Sequence, residues 1–431
     1  MTLVMTTGRS GIDTETSPLG VDADMLAKLM NNTRGGLGPA LYQNQNDKLI
    51  MLAIHSIHFT CHSRFFILFF FTRCSRMRTF ARSIAIGYPC TLNRQFPRAA
   101  PTLRVSYNNA GDPFAPEGTF DRHAHPEELK MLENMSRLWN VDINEVWGYT
   151  TSGGSEGNMQ GLWIAREKYP NAVLYYSDQS HYSIKKIANI LKLDSVVVPT
   201  TETGQLDARK LGCIVDHSRP AIILANIGST FLGAVDDVAH IKFVLSGKED
   251  VYVHADAAFF GFVMPFLRPG YDQYKLFDSI SVSCHKWPGV KFPSGVFMSV
   301  KDHPTSVENF EEVISQRDVT VSGSRNGHAP FFINEFLETV DLEKEVTECL
   351  EMTDYLYNRL WECVPECAPW KNENSPILVF NSPSKEIIKK WSLATVGKRS
   401  HVCVLSHVTK EIADNFIHDM AIYFGRRTNL K

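Results

Sequence analysis

Between residues 145 and 300 the chain repeats one pattern: a short, mostly apolar segment, a stretch of helical spacing, then another apolar segment. The apolar segments read VWGYTT (146–151), AVLYYS (172–177), SVVVPT (195–200), AIILANI (221–227), VYVHADA (251–257), SISVS (279–283) and GVFMSV (295–300). Most run apolar without alternating, so both faces of such a strand must be covered. The helical stretches at 156–168, 181–192 and 236–246 supply that cover. This predicts an α/β fold built on a mostly parallel sheet with helices on both faces. After about residue 328 the pattern changes to a long helix followed by short strands (ILVF, HVCVL) and helices, which predicts a small C-terminal α+β domain. Three regions follow: residues 1–84 as an N-terminal arm, 85–327 as a large domain and 328–431 as a small one. A chain of 431 residues is long enough to give each domain a core.

Composition narrows the class. The hydrophobic share of 44% and the charged share of 21% are those of an ordinary globular protein. A net charge of −3 offers no overall basic field for nucleic acid or an anionic membrane. The nine cysteines lack metal-type spacing: Cys363 and Cys367 lie four apart, with no second pair or histidine cluster to complete a zinc site. No metal site is expected, and the thiols read as free in a reducing compartment. The first residues show no basic stretch leading into an apolar core, so no secretory signal is read and a cytoplasmic location is expected. Within the arm, residues 49–74 read LIMLAIHSIHFTCHSRFFILFFFTRC. His55, His58, His62 and Arg64 interrupt the apolar runs, and Phe65–Phe71 is too short to span a bilayer.

Open α/β sheets bind ligands at the carboxyl ends of their strands, and the chemistry-bearing residues fall there. TSGGSEGN (Thr151–Asn158) follows a strand and opens a helix. Its small residues let backbone N–H groups approach an anion at the helix N-terminus; a plain cap by Ser152 or Ser155 is the alternative. It is not a nucleotide P-loop, because it lacks the GxxxxGK[ST] spacing. Asp256 ends the strand in HADAAFFG, where a carboxylate needs a cation or a structural partner. His181, in SHYSIKK, stands at a helix start, either as a structural histidine or as a ring against a ligand. NIGST (226–230) is another strand end of small residues. Lys286, in SVSCHKWPG, follows a strand, either solvated or nucleophilic. In this order the residues fit a pyridoxal-phosphate site. The SGGS turn would take the phosphate, Asp256 would keep the pyridine nitrogen protonated, and Lys286 would form a Schiff base with the aldehyde.

From about AIGYP (85–89) to near the C-terminus the chain resembles the group II pyridoxal-phosphate amino-acid decarboxylases, most of all the bacterial pyridoxal-type histidine decarboxylases and plant serine decarboxylases. NNAGDPF, WGYTTSGGSEGNMQG, YYSDQSHYS, ANIGSTFLGAVDD, HADAAFFG, SVSCHKW and GSRNGHAP carry the resemblance, in the family's order. It implies a fold-type I transferase-like architecture with pyridoxal 5'-phosphate in the large domain. It implies decarboxylation of an L-amino acid, histidine or serine, to the amine and CO₂ by a homodimer with active sites at the subunit interface. Lys286 would carry the cofactor, Asp256 would bind its ring nitrogen and His181 would stack on the ring. Gly154, Ser155, Ser229, Ser283 and His285 would surround the phosphate.

Three departures accompany the resemblance. The family usually has glycine where this chain has Cys284, and a side chain there is expected to crowd the phosphate. Residues 43–73 have no counterpart in the family's pattern although the flanking AKLM and ARSIAIGYP do, so the segment reads as an insertion in the gene or as an unspliced intron. The family's mobile loop carries a tyrosine as proton donor where EEVISQRD places Val313. Valine has no proton to give. This departure keeps two alternatives open: an aldehyde-forming oxidative decarboxylase and, with Cys284 and the insertion, a non-catalytic homologue.

Overall fold

The computed structural model describes residues 85–115, 121–270, 272–301 and 309–425. The N-terminal arm at 1–84, with the insertion at 43–73, lies outside them. The large sheet has seven strands: β1 (Val146–Thr151), β2 (Val173–Ser177), β3 (Asp194–Val198), β4 (Ala221–Asn226), β5 (Val251–Asp256), β6 (Ser279–Ser283) and β7 (Gly295–Val300). Their order is β1-β7-β6-β5-β4-β2-β3. β7 runs antiparallel to both neighbours and every other pairing is parallel.

Side chains alternate between two covered faces. Leu174, Ile222, Leu224 and Tyr252 join one apolar cluster, together with Leu162 of α2 (Gly154–Lys168) and Ile184 and Ile187 of α3 (Ser183–Leu191). Val173, Tyr175, Ile223 and Val253 join the other, with Leu211 of α4 (Ala208–Ile214) and Ile241 of α5 (Val238–Val244). That second layer also holds Met131 and Leu132 of α1 (His125–Trp139) and, beyond a short turn α6 (Met264–Leu267), Phe332 and Phe336 of α7 (Ala329–Thr339). Burying both faces of a parallel sheet is what the apolar strand sequences require.

The single long helix expected after residue 328 is two, α7 and α8 (Leu342–Cys363). Asp341 breaks it: its side chain accepts the N–H of Lys344 and starts a new helix. After a small hairpin, β8 (Asn309–Glu311) with β9 (Gln316–Asp318), the C-terminal part forms its own antiparallel sheet, β10 (Ile377–Asn381), β11 (Ala394–Val396) and β12 (Arg399–Cys403). Helices α8, α9 (Lys385–Trp391) and α10 (Lys410–Tyr423) enclose Phe380, Trp391 and Phe416 there. Ile86 joins the same cluster, and its carbonyl accepts the N–H of Cys403 at 2.7 Å. The irregular strap after it reaches the large sheet, where the N–H of Thr91 donates to the Lys286 carbonyl at 2.9 Å.

One buried ion pair holds α1, β1 and the segment before α7 together. Glu128 accepts from Arg325, from the N–H of Thr150 at 2.6 Å and from Asn109 Nδ2 at 2.8 Å. Both side chains of the pair are almost fully buried. Arg325→Met leaves the Glu128 carboxylate buried without its cation, so it is expected to destabilise the fold by about 3–5 kcal/mol. Urea unfolding measures this, and Glu128→Gln added to Arg325→Met should restore part of the loss. A loss under about 1 kcal/mol, the worth of a surface pair, would contradict the role assigned to this contact.

Candidate active site

The site grows out of the turn between β1 and α2. Gly153 sits at φ 138°, a conformation open to glycine, and carries the chain sharply from strand to helix. The first helical N–H, that of Gly154, donates to Ser283 Oγ at 3.0 Å. One turn on, a Cβ at Gly157 would lie 2.2 Å from Ser281 Oγ, so only glycine lets the helix press this closely on β6. Pairing across the sheet aligns Asn226 with Asp256 and Asp256 with Ser281. Three polar side chains thus stand in a row at the carboxyl edge, beneath the helix N-terminus.

All eight residues singled out in the sequence, Lys286, Asp256, His181, Gly154, Ser155, Ser229, Ser283 and His285, line one cavity of about 390 Å³. Asp256 is 7% exposed. Its Oδ2 accepts from Asn158 Nδ2 at 2.8 Å and its Oδ1 from the N–H of Ala258 at 3.2 Å. Among the described residues both donors are neutral. A buried carboxylate that opens on a cavity with only neutral partners favours a cation in that cavity. Lys286 also faces the cavity. Burial pushes its ammonium pKa down, against the opposing pull of Asp256, Cys90 and Cys403, which raises the share of free amine available as a nucleophile.

The histidines are held neutral by their surroundings. Burial lowers His181, partly offset by Asp256. Its Nδ1 lies 2.8 Å from Ser183 Oγ and accepts the N–H of Ser183 at 3.3 Å, which assigns the ring proton to Nε2. That contact also explains why α3 begins at Ser183 rather than at His181, as the sequence suggested. Burial lowers His285 as well, and its Nδ1 donates to the Ser294 carbonyl at 3.1 Å. Ser229 Oγ accepts the N–H of Ala234 at 3.0 Å, tying its strand end into a turn.

One expectation changes. Cys284 is fully buried in the apolar cluster behind β6 and does not line the cavity. It sits directly after Ser283, and side chains alternate faces along this stretch, so its thiol points away and the expected crowding does not arise. Val313 lies in the turn between β8 and β9, 80% exposed, and is not part of this cavity's lining.

Several lining residues went unread in the sequence, Asn158, Asn226 and Cys90 among them. Asn158 was within reach, because it stands one helical turn after Gly154 on the same face. Asn226 was also within reach, as the strand end of NIGST; it donates to Ser177 Oγ at 3.0 Å. Cys90 had no local signal: the strap from the small domain brings it over Lys286, and burial pushes its thiol up to about 11.

Residues 127–363 match the family model of the pyridoxal-dependent decarboxylase conserved domain. The chain belongs to the pyridoxal-dependent decarboxylase family. It is 34% identical to a histidine decarboxylase of Vibrio campbellii, over 83% of this chain and 95% of the relative. It is 37% identical to serine decarboxylase 1 of Oryza sativa subsp. japonica, over 78% of this chain and 71% of the relative. Among solved structures, L-methionine decarboxylase from Streptomyces sp. 590 superposes with a TM-score of 0.74 at 21% identity, covering 96% of this chain and 99% of that one. The architecture is that of fold-type I, and the enzyme is a carboxy-lyase of amino acids that uses pyridoxal 5'-phosphate. The cavity suits that group. It offers an amine for the aldehyde, a buried anion for the ring nitrogen, and a helix N-terminus with three serine hydroxyls for the phosphate.

Proposed function

We propose that this decarboxylase acts on histidine or serine, releasing CO₂ and the corresponding amine. Within that reading Lys286 holds the cofactor and Asp256 holds its ring. The carrying observation is that Lys286 and Asp256, thirty residues apart in sequence, face one cavity from adjoining strand ends. The relatives' named substrates support the choice of amino acid.

When bound, the cofactor supplies an electron sink for the electron pair left as the bond between Cα and the carboxylate breaks. The protein's groups make that sink effective. Asp256, oriented by hydrogen bonds from Asn158 and the Ala258 N–H, would hold a proton on the ring nitrogen. Burial of Lys286 favours its neutral amine, which is the form that attacks a carbonyl carbon. His181 would stack on the ring as a neutral imidazole, adding no positive charge to compete with Asp256. Gly154, Ser155, Ser229, Ser283 and His285 would surround the phosphate at the N-terminus of α2, where the helix dipole favours an anion.

We take the enzyme to be a cytoplasmic homodimer whose sites lie at the subunit interface. Support comes from the cavity's rim, where Tyr88 and Tyr182 are 54% and 71% exposed. Aromatic surface of this kind is typical of protein contacts. Among the described residues no helix is long and apolar enough to cross a membrane.

Borohydride reduction of the enzyme as purified should fix the cofactor to the peptide containing Lys286, and Lys286→Ala should abolish both label and turnover. A label on Lys291, whose Nζ donates to the Leu92 carbonyl, would overturn the assignment. For the substrate, CO₂ release is measured across the common amino acids. Histidine or serine should lead amino acids that lack its polar group by roughly ten-thousandfold, the discrimination a site gains by pairing that group. A faster reaction with an apolar or aromatic amino acid would contradict the proposal.

A further inference from the structure

Behind Asp256 a file of buried polar side chains runs from Asn158, at the cavity wall, back into the core, and the reaction as described uses only the first of them. Tyr252, His254 and Asp256 alternate along β5 and so face the same side, toward α2. Tyr252 OH donates to Ser279 Oγ at 2.9 Å. Ser279 Oγ lies 2.7 Å from His254 Nδ1, His254 Nε2 lies 3.0 Å from Asn158 Oδ1, and Asn158 Nδ2 donates to Asp256 Oδ2 at 2.8 Å. Tyr252, His254 and Asn158 are all but inaccessible to solvent. The helix presses close along the file: a Cβ at Gly161 would lie 2.3 Å from His254 Nδ1.

The proton positions follow from the chemistry of the end groups. The Asp256 carboxylate only accepts, so the Asn158 amide must turn its NH₂ toward it and its carbonyl toward His254. His254 Nε2 then has to donate. Burial holds the ring neutral, its pKa pushed down to about 4, so Nδ1 carries the lone pair and accepts from the Ser279 hydroxyl. Ser279 in turn accepts from Tyr252. Every hydrogen bond in the chain therefore points the same way and ends on Asp256.

We infer that Tyr252, Ser279, His254 and Asn158 form a one-way hydrogen-bond relay that fixes Asp256 as an anion aimed into the cavity and so sets the enzyme's affinity for its cofactor. Asn158 and His254 are positioning residues: they act through Asp256. Aligned donors polarise one another in a low-dielectric interior, and the last one presents its strengthened N–H to the carboxylate. The inference rests on the reading of Asp256 as the partner of the cofactor's ring nitrogen.

The test is a double-mutant cycle on cofactor affinity, read by titrating pyridoxal 5'-phosphate into the stripped full-length enzyme. Asp256→Asn should weaken binding. In the Asp256 background, His254→Leu should weaken it roughly two- to tenfold, the scale of a lost hydrogen bond between neutral groups. In the Asp256→Asn background the same change should be nearly silent, because the chain no longer ends on an anion. His254→Gln, whose amide NH₂ can replace Nε2–H as donor to Asn158, should recover part of the affinity. Ser279→Ala, a milder change that removes the hydroxyl serving Nδ1, should shift affinity in the same direction as His254→Leu and keeps the test open if the leucine variant fails to fold. Unchanged affinity in Asp256→Asn would sink the reading of Asp256 itself. Weakening by Asp256→Asn together with an equal effect of His254→Leu in both backgrounds would leave that reading standing and overturn the relay. Unchanged affinity in both His254→Leu and Ser279→Ala would overturn it too.

Discussion

A carboxylate held out of water at the end of a parallel strand must be answered by charge or by donors. Asp256 has two neutral donors from the protein and one open side. The rest of the site is arranged around that open side. Strand pairing sets Asn226 and Ser281 beside it, helix α2 brings Asn158 down onto it, and Lys286 faces the same space from the turn after β6. In the proposed reading, a protonated ring nitrogen would complete the electrostatics on that open side.

That arrangement needs close contact between helix and sheet. Gly154, Gly157 and Gly161 recur along the face of α2 that meets β5 and β6, and an added methyl at any of them would meet a side chain at 2.9 Å or less. The same contact that brings the helix N-terminus to Ser283 also brings Asn158 to Asp256, so one stripe of glycines serves both ends of the proposed cofactor site. The small domain contributes at a distance: its sheet anchors the strap at Ile86, and the strap delivers Cys90 to the cavity beside Lys286.

Strands were the most legible part of the chain. VWGYTT, SISVS and GVFMSV match β1, β6 and β7 residue for residue, because a strand buried on both faces is built of apolar or small uncharged residues and is bounded by turn residues. Helix ends were less legible, since side-chain caps decide them. Asp341 splits one expected helix, and the His181 ring delays another by taking the Ser183 N–H. Helices α1 and α4 went unread, although Asp207 caps α4 in a recognisable way. That the eight candidate residues would converge on one cavity was legible through motif order. The direction of Cys284 was misjudged because residue type was considered without its place in the strand's alternation. Cys90 was invisible, since its position depends on a contact between distant segments.

The central claim is that the Asp256 anion keeps the cofactor's ring nitrogen protonated. Nitrogen-15 NMR of the full-length enzyme loaded with ring-labelled pyridoxal 5'-phosphate measures this directly. The account predicts a protonated nitrogen at neutral pH in the wild-type enzyme. An unprotonated nitrogen under the same conditions would contradict it.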